Sequence, residues 1–167
     1  MKILTIDPGY RHLACGLYEV DEVAKSLELL DFVSVKVTAK DIITDDEANR
    51  LSNLYTKVLT SRLREISLQA DCCVIETPYE QNSTLLNQIA GCLFSYLAPQ
   101  VPVAFTLVTW TNGIPKEQRL EVIRRFFPSI NPPEGIKSVK HLMDFWDTVG
   151  IAASVGLRLN YRKCKYA

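Results

Sequence analysis

"KILTIDPGYR" (residues 2–11) carries an apolar run, Ile3, Leu4 and Ile6, straight into an aspartate and a Pro-Gly turn. The run reads as a strand over residues 2–7. A carboxylate at the end of a buried strand costs free energy unless something pairs with it. Asp7 therefore either starts a turn, as Asp before Pro-Gly commonly does, or belongs to a charged site with a cation in it.

The 167 residues are 47% hydrophobic, a globular composition long enough to bury a sizeable core in a single domain, 1–167. No apolar run reaches the length that crosses a bilayer, and the N-terminus lacks a signal-peptide pattern. The expectation is an intracellular protein with no membrane partner. The cysteines are odd in number, Cys72 and Cys73 are adjacent, and there is no C-x-x-C, which argues against a disulfide framework or a zinc site. Buried thiols are expected instead. Formal net charge is zero, but Lys and Arg number 9 against 14 acids in residues 1–108 and 10 against 5 in residues 109–167. The C-terminal third can thus build a basic surface.

Residues 13–20 ("LACGLYEV") form a second apolar run, in which Gly16 marks a bulge or a close approach. Residues 26–37 end in strict alternation. Together the first three runs predict an antiparallel meander. "TDDE" (44–47) resembles a capping box, and a helix is expected from there to about Gln69. "CCVIE" (72–76) is a short apolar run suited to a strand buried on both faces. Helices are predicted over 84–97, 116–127 and about 138–157, with a further strand over 103–108. The order β-β-β-α-β-α-β-α-α gives an α/β class, a meander followed by crossover units.

Acids recur where a core should be. Asp7 ends the first strand and Glu76 the fourth. Asp144 and Asp147, in "HLMDFWDTVGIAA", lie three apart on one face of an apolar helix. The two strands are expected side by side, so their C-terminal ends bring Asp7 and Glu76 together where ligands gather in open α/β sheets. Four unpaired anions repel and raise one another's pKa. Hard carboxylate oxygens suit Mg²⁺, for which Mn²⁺ can substitute, and two such ions about 3.5–4 Å apart can drive phosphodiester cleavage.

"ILTIDPG", "CVIE" and "DFWD", in that order, resemble the RuvC-type Holliday junction resolvases of the RNase H-like superfamily. "TIDPGYRHLACGLYEV" and the terminal "YRKCKY" look closer to the poxvirus and fungal mitochondrial resolvases. The resemblance implies an RNase H-like fold, a five-stranded mixed sheet with a three-stranded antiparallel meander and two parallel strands, flanked by helices. It implies a homodimer acting on branched DNA, above all four-way junctions. It also implies two Mg²⁺ per active site, held by Asp7, Glu76, Asp144 and Asp147 as catalytic ligands. A poxvirus-like enzyme would work in the cytoplasm at a viral replication site, a fungal-like one in the mitochondrion. The chain departs from those resolvases in having no Lys or Arg between residues 65 and 115.

Further DNA contacts are expected from Tyr10 and Arg11 after the turn, and from Gln81 and Asn82 as neutral phosphate donors. Lys116 and Arg119 begin a basic helix, and Arg162, Lys163 and Lys165 lie in an acid-free tail. His141, one turn before Asp144, is a capping, surface or phosphate-assisting residue. Leu85, Leu86, Ile89 and Leu93 fit either core or dimer interface. The expected activity is a Mg²⁺-dependent, structure-selective endonuclease. It makes paired symmetric nicks with 5′-phosphate and 3′-hydroxyl ends. The alternatives are a non-catalytic RNase H-like nucleic-acid-binding module, or a nuclease for flaps or RNA–DNA hybrids.

Overall fold

A computed structural model describes residues 1–9, 12–36, 62–77, 84–107, 111, 114–136 and 138–159. Its elements run β1 (Lys2–Pro8), β2 (His12–Asp21), β3 (Ser26–Lys36), α1 (Arg62–Ser67), β4 (Cys72–Thr77), α2 (Thr84–Leu97), β5 (Val103–Leu107), α3 (Lys116–Phe126) and α4 (Val139–Gly156). The capping box at 44–47 lies outside the described residues. Where the long helix is described, as α1, it ends at Ser67, two residues short of the predicted Gln69. β5 is described over Val103–Leu107, Val108 lying outside the described residues, and α3 ends at Phe126.

The five strands form one sheet in the order β3-β2-β1-β4-β5. β1–β2 and β2–β3 pair antiparallel, whereas β1–β4 and β4–β5 pair parallel. Each strand's period of two sorts its residues between two cores. Leu4, Ile6, Cys15, Leu17, Cys73 and Ile75 face α1 and α2, where Leu63, Ile66, Ile89, Leu93 and Leu97 meet them. Ile3, Tyr18, Val20 and Val74 face α3 and α4, against Ile123, Phe145, Val149, Ala152 and Ala153. Burial on both faces explains why β1 and β4 read as continuous apolar runs rather than alternating ones. Ile89 and Leu93 are therefore core, with Leu86 partly buried beside them. Cys15, Cys73 and Cys92 are buried thiols and Cys72 is partly exposed.

Gly16 marks a close approach. A Cβ there would stand 2.4 Å from Cε2 of the Tyr18 ring, which lies across the glycine fully buried. The bulge falls one step on, between Leu17 and Tyr18, where β3 carries an extra residue. Tyr18 cannot give way without breaking its 2.7 Å hydrogen bond to Thr148 on α4. Gly16→Ala should therefore destabilise the fold by about 1–3 kcal/mol, the usual cost of overpacking. Chemical denaturation should show this as a lower midpoint with an unchanged slope.

Candidate active site

The same period of two that builds the α4 core aims the acids. Ile3, Thr5 and Asp7 share the face that Val74 and Glu76 share on β4. β1 and β4 run in register as far as Ile6 opposite Ile75. One residue further puts Asp7 level with Glu76 at the C-terminal edge of the sheet. β4's burial falls off at that point, from buried Ile75 to half-buried Glu76.

α4 is locked over this edge by a chain of buried hydrogen bonds. Thr5 Oγ1 reaches the Gly16 carbonyl at 3.2 Å and the Thr148 carbonyl at 3.1 Å. Thr148 Oγ1 donates to the Phe145 carbonyl at 2.7 Å, so its one proton is used and the Tyr18 hydroxyl donates to it. Ser138 caps the helix by accepting from the His141 backbone N–H at 3.1 Å. The face of α4 that these bonds press onto the sheet is the one carrying Asp144 and Asp147. Both are buried, at 8% and 4% exposure. The solvated helix face that D-x-x-D most often marks is thus ruled out for this pair.

Burial raises the Asp7 carboxyl well above its ordinary pKa. The charges of Glu76, Asp147 and Asp144 and a side-chain hydrogen bond with Glu76 push it further the same way. Acids from β1, β4 and α4 therefore converge on one spot. Asp144 Oδ2 is buried without a hydrogen-bond partner among the described residues. A buried acceptor in that condition invites a cation or a water. Asp147 has a counter-charge: Arg119 Nη1 stands 3.6 Å from its Oδ1. Arg119 is anchored in turn, its Nε donating to the Ile114 carbonyl at 3.2 Å. Among the described residues, no three acids, histidines or cysteines are drawn close enough to hold an ion as they stand. The donor set, all carboxylates with an orphaned buried oxygen and strong mutual repulsion, nevertheless fits hard divalent cations.

Of the expected DNA contacts, Arg119 alone has a described side chain, and it faces the acids. Lys116 opens α3, but its side chain lies outside the described residues, as do Tyr10, Arg11, Gln81, Asn82, Arg162, Lys163 and Lys165. His141 is half-buried, and its ring meets that of His12 edge-to-face at 4.1 Å between centroids. His12 was not singled out by the sequence. Its only signal was parity: it lies on the β2 face shared by Gly16 and Tyr18, opposite α4. Trp146 belongs to the core. No helix among the described residues is long and apolar enough to cross a membrane.

The fold is RNase H-like. Among solved structures, the chain is similar to T. thermophilus RuvC in complex with a Holliday junction substrate, with a TM-score of 0.62 and 19% identity, covering 98% of this chain and 96% of that one. It is also similar to the fowlpox virus Holliday junction resolvase, with a TM-score of 0.60 and 14% identity over 95% of this chain and 100% of that one. The same fowlpox enzyme with its substrate junction DNA gives a TM-score of 0.52 and 15% identity over the whole of both chains. The likeness matches the resemblance carried by the three acidic motifs. No family model matches the sequence, and no curated protein matches it.

Because the folded pKa of Asp7 is raised, its contribution to stability is fully present below the ordinary carboxylate pKa and is lost as pH rises through the folded value. At neutral pH and without divalent ions, Asp7→Asn should therefore raise the melting temperature. A gain of about 1 kcal/mol would appear as roughly 2–4 °C in a chain of this size. Thermal melts with chelator should show the gap between variant and parent closing as pH falls toward 4.

Proposed function

We propose that the protein is a divalent-metal-dependent endonuclease that resolves four-way DNA junctions. The observation that carries this reading is the convergence of four carboxylates from β1, β4 and α4 at the working edge of an RNase H-like sheet. The likeness to resolvases solved with Holliday junction DNA supports branched DNA as the substrate.

Asp7, Glu76, Asp144 and Asp147 would hold two Mg²⁺ or Mn²⁺ ions. When bound, such ions supply Lewis-acid charge to the attacking water and to the leaving oxygen. The chain's own part is to hold the acids rigid. Asp7 is fixed by a strand buried on both faces, and Asp144 and Asp147 by a helix tied through Thr148 to Thr5 and Tyr18. Their mutual repulsion, strengthened by burial, sets up affinity for cations. The scissile phosphate belongs beside Asp7. The products would carry 5′-phosphate and 3′-hydroxyl ends.

Paired nicks on a four-way junction call for two sites related by a two-fold axis, and so for a homodimer. β5 is an edge strand, and its exposed Phe105 stacks on exposed Phe94 of α2 at 5.4 Å, with exposed Leu107 nearby in the strand. Two exposed, stacked aromatics beside β5, the last strand of the sheet among the described residues, support a self-association surface there.

The direct test is cleavage of a synthetic four-way junction with the product ends mapped. Mg²⁺ should support cleavage and chelation should abolish it. Asp7→Asn and Asp144→Asn should each lower the rate by about 10²-fold or more, the scale of losing a preorganised electrostatic partner. Preference for a flap or an RNA–DNA hybrid over the junction would reassign the substrate, and full activity of either variant would end the two-ion mechanism. In sedimentation, Phe105→Asp should shift the protein toward monomer. On a junction it should uncouple the two nicks while leaving nicking itself intact.

A further inference from the structure

We propose that Arg119 is an exchangeable counter-ion: it holds Asp147 while the acidic site lacks divalent ions, and transfers to a DNA phosphate when they bind. The inference rests on the reading of the four acids as a divalent-metal site and deepens it.

Four observations lead there. Asp147 is 4% exposed, a depth at which a carboxylate needs a counter-charge. Arg119 supplies one, at 3.6 Å, a separation typical of an ion pair and too long for a hydrogen bond. Its Nε donates to the Ile114 carbonyl rather than to the acid, so the planar head group can pivot as one unit about that bond, away from Asp147, while the anchor holds. Its side chain keeps 18% exposure, against 6% for the Asp147 side chain, so the arginine is the partner that reaches toward solvent. A long, anchored, partly open pair of this kind is built to be broken.

A divalent ion at Asp147 replaces the guanidinium as counter-charge and repels it. The released Nη groups then lie at the rim of a site whose ligand is a phosphodiester, and a planar guanidinium fork matches two phosphate oxygens. Metal and DNA thereby become coupled through one side chain. Each should tighten the binding of the other, and by the same factor.

Calorimetry with Mn²⁺ and no DNA reads the first half. Arg119→Gln should bind Mn²⁺ roughly three- to tenfold more tightly than the parent, because no resident cation is displaced. Fluorescence anisotropy with a labelled junction reads the second half, using Ca²⁺ as a probe ion. In the parent, Ca²⁺ should tighten junction binding. In Arg119→Gln that gain should shrink by a similar factor, while affinity without Ca²⁺ stays within twofold. A fixed surface cation would instead weaken junction binding equally with and without Ca²⁺, and that result would overturn the proposal. So would an unchanged Mn²⁺ affinity. Should Arg119→Gln not fold, Arg119→Met reads the same quantity: it keeps the aliphatic stem and removes the charge. Mn²⁺ binding should then tighten by a similar factor, and no tightening counts against the exchange. If the parent itself binds no Mn²⁺, the metal reading of the site fails. If the parent binds Mn²⁺ and Arg119 has no influence, only the exchange fails.

Discussion

The mutual repulsion of four carboxylates at the edge of a buried sheet is the constraint on which the rest of the structure depends. Each alone could be tolerated at a surface. Together, and this deep, they raise the Asp7 carboxyl well above its ordinary range and leave one oxygen of Asp144 without a partner. The site is therefore a stored electrostatic cost that folding elsewhere must offset. Two apolar cores, one on each face of the sheet, do so. The ends of the same strands that build those cores are used to aim the acids.

The rigidity of the arrangement has a specific source. Thr5, Tyr18 and Thr148 form a fully buried polar chain between β1, β2 and α4. Buried polar chains of this kind fix one register because any slip leaves a donor or acceptor unsatisfied. A slip of α4 by one residue would turn Asp144 and Asp147 away from the strand ends. Gly16 belongs to the same device, because only a residue without a side chain lets the Tyr18 ring lie across β2 to reach Thr148. Arg119 then moderates the charge that this rigidity concentrates. It neutralises one acid from a helix of its own and is anchored on a backbone carbonyl.

The sequence by itself determined the strands, because apolar runs bounded by turns are legible from residue type alone. It also determined the four acids, because "TIDPG", "CVIE" and "DFWD" place charge inside apolar elements, where charge is costly enough to need a reason. α2 matched its predicted bounds residue for residue, being an apolar helix closed by a nearby proline. Element ends elsewhere moved by one or two residues, since fraying and turn formation there depend on local hydrogen bonds.

Only the tertiary structure decided what the acids pair with. The expected adjacency of β1 and β4 already brought Asp7 to Glu76, and the packed sheet added the parallel register that levels them, Ile3 opposite Cys72 through Ile6 opposite Ile75. Arg119 read as one more basic residue on a short helix, and its place against Asp147 comes from how α3 packs on α4. His12 and His141 carried no shared pattern, being 129 positions apart, yet their rings touch beside the site. The physical reason is the same in each case. Residue type and spacing set the cost of a buried charge, but which partner meets it depends on contacts between distant elements, and those exist only once the sheet and its helices have packed.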